Sequence, residues 1–274
     1  MNIESDAKSK AAATYNAAAD CYDGPALSFW DRFGRRTVDR LALKPGSDVL
    51  DVCCGSGASA IPAAESVAPG GRVLAVDLAE RLIELGRRKS QVRSLENIEF
   101  RVADMEELDL PDAHFDAVVC VFGVFFVPDM PKAVRELWRM VREGGKLAIT
   151  TWGANFFEPA NTVFWDSVRL EQPELYKAFH PWDRINESTL VERLLEKGGA
   201  KTVDVAAEFA RLPLRSPEDW WNMVLGSGYR GTVEQMRPEV RERVRQANLS
   251  YLRGNDVRFV QANVIYAIAT KNPT

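Results

Sequence analysis

Apolar and polar positions along this chain change period several times, and each change marks an element. Through the first 47 residues an alanine-rich helical stretch leads into Leu27, Trp30, Phe33, Gly34, Val38 and Leu41, which recur at the spacing of one helical face. Lys44-Pro45-Gly46-Ser47 then punctuates the chain as a turn. From residue 48 short apolar runs alternate with helical patterns. Strands are expected at 48–52, 72–77, 98–103, 115–122 and 146–152, and helices at 58–67, 79 to about 92, and 131–141. Pro62 falls in the first turns of its helix, where a missing N–H is tolerated. Glu143-Gly144-Gly145 is expected to stop the helix before it. The run 115–122 is apolar throughout, as in a strand buried on both faces.

After Trp152 the rhythm breaks. Residues 153–185 are rich in aromatics and prolines, 187–197 reads as a helix ended by Gly198-Gly199, and 202–212 reads as a sixth strand. An irregular, partly helical stretch covers 214–257, and 262–270 is a final strand. Repeated βα units imply a parallel sheet covered by helices. The expected fold is α/β: a Rossmann-like, seven-stranded, mostly parallel sheet with helices on both faces, plus a mainly helical cap. The expected division is an N-terminal helical lid at 1–44, a core at 45–152, a cap insertion at 153–185, more core at 186–213, a second insertion at 214–257, and a last core strand within 258–274.

Composition changes this reading little. The 274 residues carry a formal net charge of −4 and 46% apolar residues, which is ordinary for a globular chain and gives no basic footprint of a nucleic-acid binder. The arginine clusters at 35–40 and 237–245 are interleaved with acids and read as solvated helix faces. The start is polar, and the longest apolar stretch, 117–127, falls short of the roughly 20 residues of a membrane span. A cytoplasmic location without a membrane span is therefore expected. Cys21, Cys53, Cys54 and Cys120 form no CxxC pair, so neither zinc nor any other metal is expected, and the thiols are read as reduced.

The sharpest chemical signal is VLDVCCGSG at 49–57. A buried strand delivers Asp51 and then a turn in which Gly55 and Gly57 let backbone approach a ligand closely. Asp77 ends the second strand, 77 − 57 = 20 residues after that turn, where an acid can accept hydrogen bonds from both ribose hydroxyls of a nucleoside. Gly55-x-Gly57-x-x-Ala60 also satisfies the dinucleotide pattern, so a nicotinamide enzyme stays open on the glycines alone. Asp51 inside the strand suits an ammonium and sits poorly beside a pyrophosphate. Asp104 and Met105, after the third strand, suit an adenine amino group and ring face.

The order VLDVCCGSG, AVDL, ADMEEL, FDAVVCVFGVFFVPD and EGGKLAITTW resembles the class I S-adenosylmethionine-dependent methyltransferases, especially small-molecule enzymes similar to the ubiquinone/menaquinone biosynthesis group. The likeness is close over about 45–152, with Tyr22-Asp23 and the final strand matching more loosely. It implies S-adenosylmethionine as cofactor and a small-molecule acceptor, aromatic or apolar, methylated on oxygen, nitrogen or an activated carbon. It places Asp51 at the methionine ammonium, Gly55 and Gly57 in the close turn, Asp77 at the ribose and Leu78 beside the adenine. Asp104 and Met105 then hold the adenine from its other side, Val121 and Phe122 line the methionine moiety, and Tyr22 belongs to an N-terminal lid. Cys53 stands where the family usually has the first glycine of the loop, and a modest change in loop packing is expected there. His180 is the candidate base for a hydroxyl acceptor, with Asp183 and Glu158 as alternatives, while His114 lies on the side away from the cofactor. Trp152, Trp165 and Trp182 are candidate substrate contacts in an aromatic-rich cap, which could equally need those rings for its own core. A nicotinamide-dependent oxidoreductase and a non-catalytic binder of S-adenosylmethionine remain the rival readings. The sequence leaves the oligomeric state open.

Overall fold

The computed structural model describes residues 3–272; residues 1–2 of the expected lid and 273–274 of the expected last segment lie outside them. Helices α1 (Ile3–Tyr22) and α2 (Phe29–Leu41) precede the sheet. The alternating core then runs β1 (Asp48–Val52), α3 (Ala60–Val67), β2 (Arg72–Asp77), α4 (Glu80–Val92), β3 (Ile98–Val102), β4 (Phe115–Val121), α5 (Met130–Met140) and β5 (Val141–Trp152). Beyond it lie α6 (Ala160–Glu171), α7 (Ser188–Lys197), β6 (Val203–Glu208), β7 (Arg211–Pro213), α8 (Pro217–Leu225), α9 (Arg230–Val233), α10 (Pro238–Gly254), β8 (Phe259–Gln261) and β9 (Val264–Thr270).

Seven strands form one sheet in the order β3-β2-β1-β4-β5-β9-β6. The first five are parallel, and β9 runs antiparallel to both β5 and β6. Alternate strand residues feed opposite faces. Val49, Ala117 and Val119 join the core under α2 and α3, whereas Leu50, Val52, Val118 and Cys120 join the larger core under α5 and α7. The strand order reverses between β1 and β4, which opens a crevice at their carboxyl ends. Among the described residues no helix is long and apolar enough to cross a membrane.

Several boundaries differ from the pattern-based expectation. Helix α5 ends at Met140, and β5 begins at once at Val141, paired with Phe115, so Glu143-Gly144-Gly145 lies inside a strand rather than stopping a helix. The register slips between the Phe115 and Ala117 pairs, Gly144 takes φ +76°, and its N–H donates to the Lys271 carbonyl at 2.7 Å. The expected sixth strand, 202–212, is two strands. β6 stays in the main sheet, while β7 pairs with β8 in a separate antiparallel ribbon that closes off the second insertion. Ala262 N–H bonds to the Ala210 carbonyl where both chains leave the main sheet. Finally, α3 begins at Ala60 rather than residue 58, and within the first insertion of the mainly helical cap residues 160–171 form a helix whose bounds the aromatic-rich stretch did not signal.

Candidate functional site

A cavity lies over the carboxyl ends of β1 to β4, with α1 across its mouth. Cys53–Gly55 reach it from β1, Asp77–Ala79 from β2, and Ala103–Met105 from β3. Val121, Phe122, Phe126 and Val127 reach it after β4, and Lys8, Ala11, Ala12, Tyr15 and Tyr22 from α1, with Trp30 from α2. Nine of the eleven expected cofactor residues therefore share one wall. Asp51 and Gly57 do not lie on it.

The turn after β1 shows why glycine is needed. Gly55 takes φ +55°, and a Cβ there would stand 2.8 Å from the Tyr22 hydroxyl. Its N–H donates to Asp77 Oδ2 at 2.9 Å, and Ala79 N–H donates to Oδ1 at 2.8 Å, so one carboxylate ties the end of β2 to the glycine turn. Burial lifts the Asp77 carboxyl above its usual range, and these N–H donors pull it partly back. Gly57, at φ +90°, faces the core instead: its missing Cβ would meet Phe100 and Ile61. Cys53 adopts φ +55°, a left-handed backbone that costs a side-chain-bearing residue about 1 kcal/mol. Its Sγ lies 3.4 Å from Met105 Sδ, and Gly123 leaves the room it needs, since a Cβ at 123 would come within 2.7 Å of that sulfur.

Asp51 is fully buried behind Ser59, which does line the cavity. Ser59 Oγ donates to Asp51 Oδ2 at 2.7 Å, while Oδ1 has no partner. Desolvation pushes this carboxyl up to about 7. At the other end of the cavity Lys8 Nζ stands 2.7 Å from both Asp104 and Glu106. Burial pulls on its charge, but hydrogen bonds to the two acids hold it above its ordinary value.

Past β4 the wall is aromatic. Tyr22 stacks on Trp30 with centroids 5.4 Å apart, and Tyr15 meets Tyr22 and Phe126 edge-on at 6.2 and 5.6 Å. Trp152 lies behind Phe122, stacked on it at 3.9 Å, and does not reach the wall. Trp165 and Trp182 are also outside it, one on each side of His180 at 4.9 and 4.8 Å. Burial lowers that imidazole's basicity. His180 is not among the residues that line the cavity. The Arg184 guanidinium donates to the carbonyls of Phe125 and Val127 at 2.8 and 3.1 Å, pinning the turn at 181–185 with His180 held between the tryptophans. Asp183 is occupied by the His180 N–H at 2.7 Å, Glu158 accepts from Thr162 and Asn161, and His114 is exposed.

Lys8, Tyr15 and Phe126 were not singled out from sequence, and Trp30 was read only as part of a buried helical face. A signal existed: Lys8, Ala11, Ala12, Tyr15, Ala19 and Tyr22 fall on one helical stripe, which α1 turns toward the cavity and core.

Comparison with known proteins agrees with this geometry. The chain is 32% identical over 136 residues to nocamycin O-methyltransferase of Saccharothrix syringae, a match covering 50% of this chain and 49% of that protein. It is 36% identical over 117 residues to demethylmenaquinone methyltransferase of Listeria welshimeri, covering 43% and 50%. The chain thus spans about half the length of the curated relatives it matches. The crystal structure of YcgJ from Bacillus subtilis superimposes with a TM-score of 0.58 at 16% identity, over 89% of this chain and all of that one, and so shares the fold. The sequence pattern of the ubiE/COQ5 methyltransferase family matches residues 9–164, a span that runs from α1 and its tyrosines through every strand end beneath the cavity, and the chain belongs to that family.

Proposed function

We propose that this protein transfers a methyl group from S-adenosylmethionine to a small aromatic or apolar acceptor. The observation that carries this reading is one cavity at the strand-order switch, with acids at the ends of β2 and β3 and an aromatic chamber beyond β4. The residues present fit the cofactor. Asp77 suits the ribose hydroxyls, Asp104 with Met105 and Leu78 suits the adenine, and the Cys53–Gly55 turn suits the methionine end. Buried Asp51 has an unpartnered Oδ1 and accepts through Oδ2 from the wall residue Ser59, which supports its reading as the acid behind the methionine ammonium. The same buried carboxylate disfavours a pyrophosphate, which argues against the nicotinamide reading. When bound, the cofactor supplies an electrophilic methyl on a positively charged sulfur.

The protein's own task is to orient the acceptor and exclude water, and alignment alone supplies much of the rate in a displacement of this kind. Helix α1, latched through Lys8 to Asp104 and through Arg81 to the Asn16 carbonyl, would roof the reactants. A largely apolar cavity favours a small molecule over a nucleic acid. The test is transfer of labelled methyl to a panel of phenols, quinols, amines, carboxylic acids and thiols. Transfer to at least one class is expected; cofactor binding without transfer to any would favour the non-catalytic reading.

A further inference from the structure

The Asp51 carboxyl is fully buried inside the sheet, where its strand neighbours are Ala75 of β2 and Val119 of β4. Its Oδ2 accepts from Ser59 Oγ at 2.7 Å, and its Oδ1 has no partner. Among the described residues, the titratable groups that act on it are Asp77, at the end of β2, and Cys54, in the turn after β1. The first is of like sign, and burial keeps the second a neutral thiol. Ionising a carboxyl in such a place costs more than one hydroxyl donor returns. In the free chain the acid therefore keeps its proton up to a pH of about 7. Ser59 nevertheless belongs to the cavity wall, so a single hydrogen bond separates this acid from the wall.

On the reading of the site proposed above, the ligand brings an ammonium to this end of the cavity. A positive charge within about 4–6 Å of a carboxyl favours its ionised form, the more so where water is scarce. We infer that the Ser59–Asp51 pair reads the charge of the ligand, and that a nucleoside carrying an amino-acid ammonium binds with release of the Asp51 proton to solvent. The acid's O–H bond breaks, its electron pair stays on the carboxylate, and the negative charge left behind balances the ammonium. Ser59 donates to Oδ2 throughout and holds the carboxyl in place. A nucleoside without the amino-acid part leaves the acid neutral and releases nothing. The sign follows from linkage: the bound form prefers the ionised acid, so affinity is full above neutrality and falls as pH drops. The expected loss is about five- to tenfold between pH 7.5 and pH 6.

The test counts protons. The full-length chain is titrated calorimetrically, in buffers of different ionisation enthalpy at pH 6, 7 and 8, with S-adenosylhomocysteine and with 5′-methylthioadenosine. The second has the same adenine and ribose but no ammonium, so any response of Asp77 or Asp104 is common to both. S-adenosylhomocysteine should release about one proton at pH 6 and almost none at pH 8, and methylthioadenosine none at either. Asp51→Asn should abolish the release. Ser59→Ala, which removes the donor that lowers this carboxyl, should carry the release to higher pH. No release with S-adenosylhomocysteine at any of these pH values, equal release by both nucleosides, or undiminished release in a folded Asp51→Asn chain overturns the inference. Should that variant bind no nucleoside, the two ligands on the unmodified chain and the Ser59→Ala profile still decide. A chain that binds neither nucleoside overturns the methyltransferase reading beneath it.

Discussion

Asp77 has two roles that substitution can separate. Its carboxylate braces the glycine turn in the free protein, and the same oxygens would meet the ribose when cofactor is bound. Asp77→Asn keeps one acceptor for the turn, so the chain should fold with a loss of about 1 kcal/mol in calorimetric unfolding. Cofactor affinity should fall further, by about 1.5–3 kcal/mol, the scale of hydrogen bonds to a charged group. Unchanged affinity in the folded variant contradicts the ribose assignment. Asp51 gives a pH signature. Its carboxyl rises from 3.8 to about 7 in the folded chain, so across that interval the folded state holds a proton that the unfolded state has lost. Stability from this group is greatest at the acidic end and falls as pH rises, by up to about 4 kcal/mol over the interval. Asp51→Asn should flatten that decline in unfolding temperature; parallel profiles for the two proteins would contradict the assigned burial. Both acids were legible in the sequence, because a strand end and a spacing of 20 residues locate them. Tyr15 and Trp30 were not read as site residues, since their meeting with Tyr22 and Phe126 depends on how α1 and α2 cross the sheet.

Among the elements, α1 decides access. It bears on the second insertion where Gly231 leaves room, for a Cβ at 231 would stand 2.3 Å from Thr14 Oγ1. Its ion pairs are partly exposed, and such contacts contribute about 0.5–1 kcal/mol each. Lys8→Ala should therefore speed protease cleavage within residues 10–40 by roughly two- to fivefold, because cleavage follows the population of the open form. Added S-adenosylhomocysteine should slow it in both proteins. Cleavage indifferent to ligand would remove α1 from any lid role. The elements of the βα core were legible because each has one dominant period. The β5 bulge and the β6–β7 break were not. In the first, glycines that read as a stop relieve a register slip inside a strand, and in the second a single apolar run serves two sheets.

For the whole molecule, the cavity couples ligand to stability. It joins four strand ends to α1 and α2, so a ligand filling it contacts the sheet and its roof together. S-adenosylhomocysteine at a hundredfold excess over its dissociation constant should stabilise the chain by about 2.7 kcal/mol, visible as a raised unfolding temperature. The parallel sheet and its ligand-bearing edge follow from repeated βα units, which admit few topologies. The aromatic chamber is less legible, because rings that pack a core and rings that line a pocket look alike in sequence; Trp152 and Trp165 proved to be packed behind the wall, and Trp30 to be on it. The most direct test of the account is equilibrium dialysis of the full-length chain against labelled S-adenosylmethionine, with S-adenosylhomocysteine and NAD as competitors. The account predicts one saturable site per chain, displaced by S-adenosylhomocysteine and untouched by NAD; no retention of label, or displacement by NAD, would contradict it.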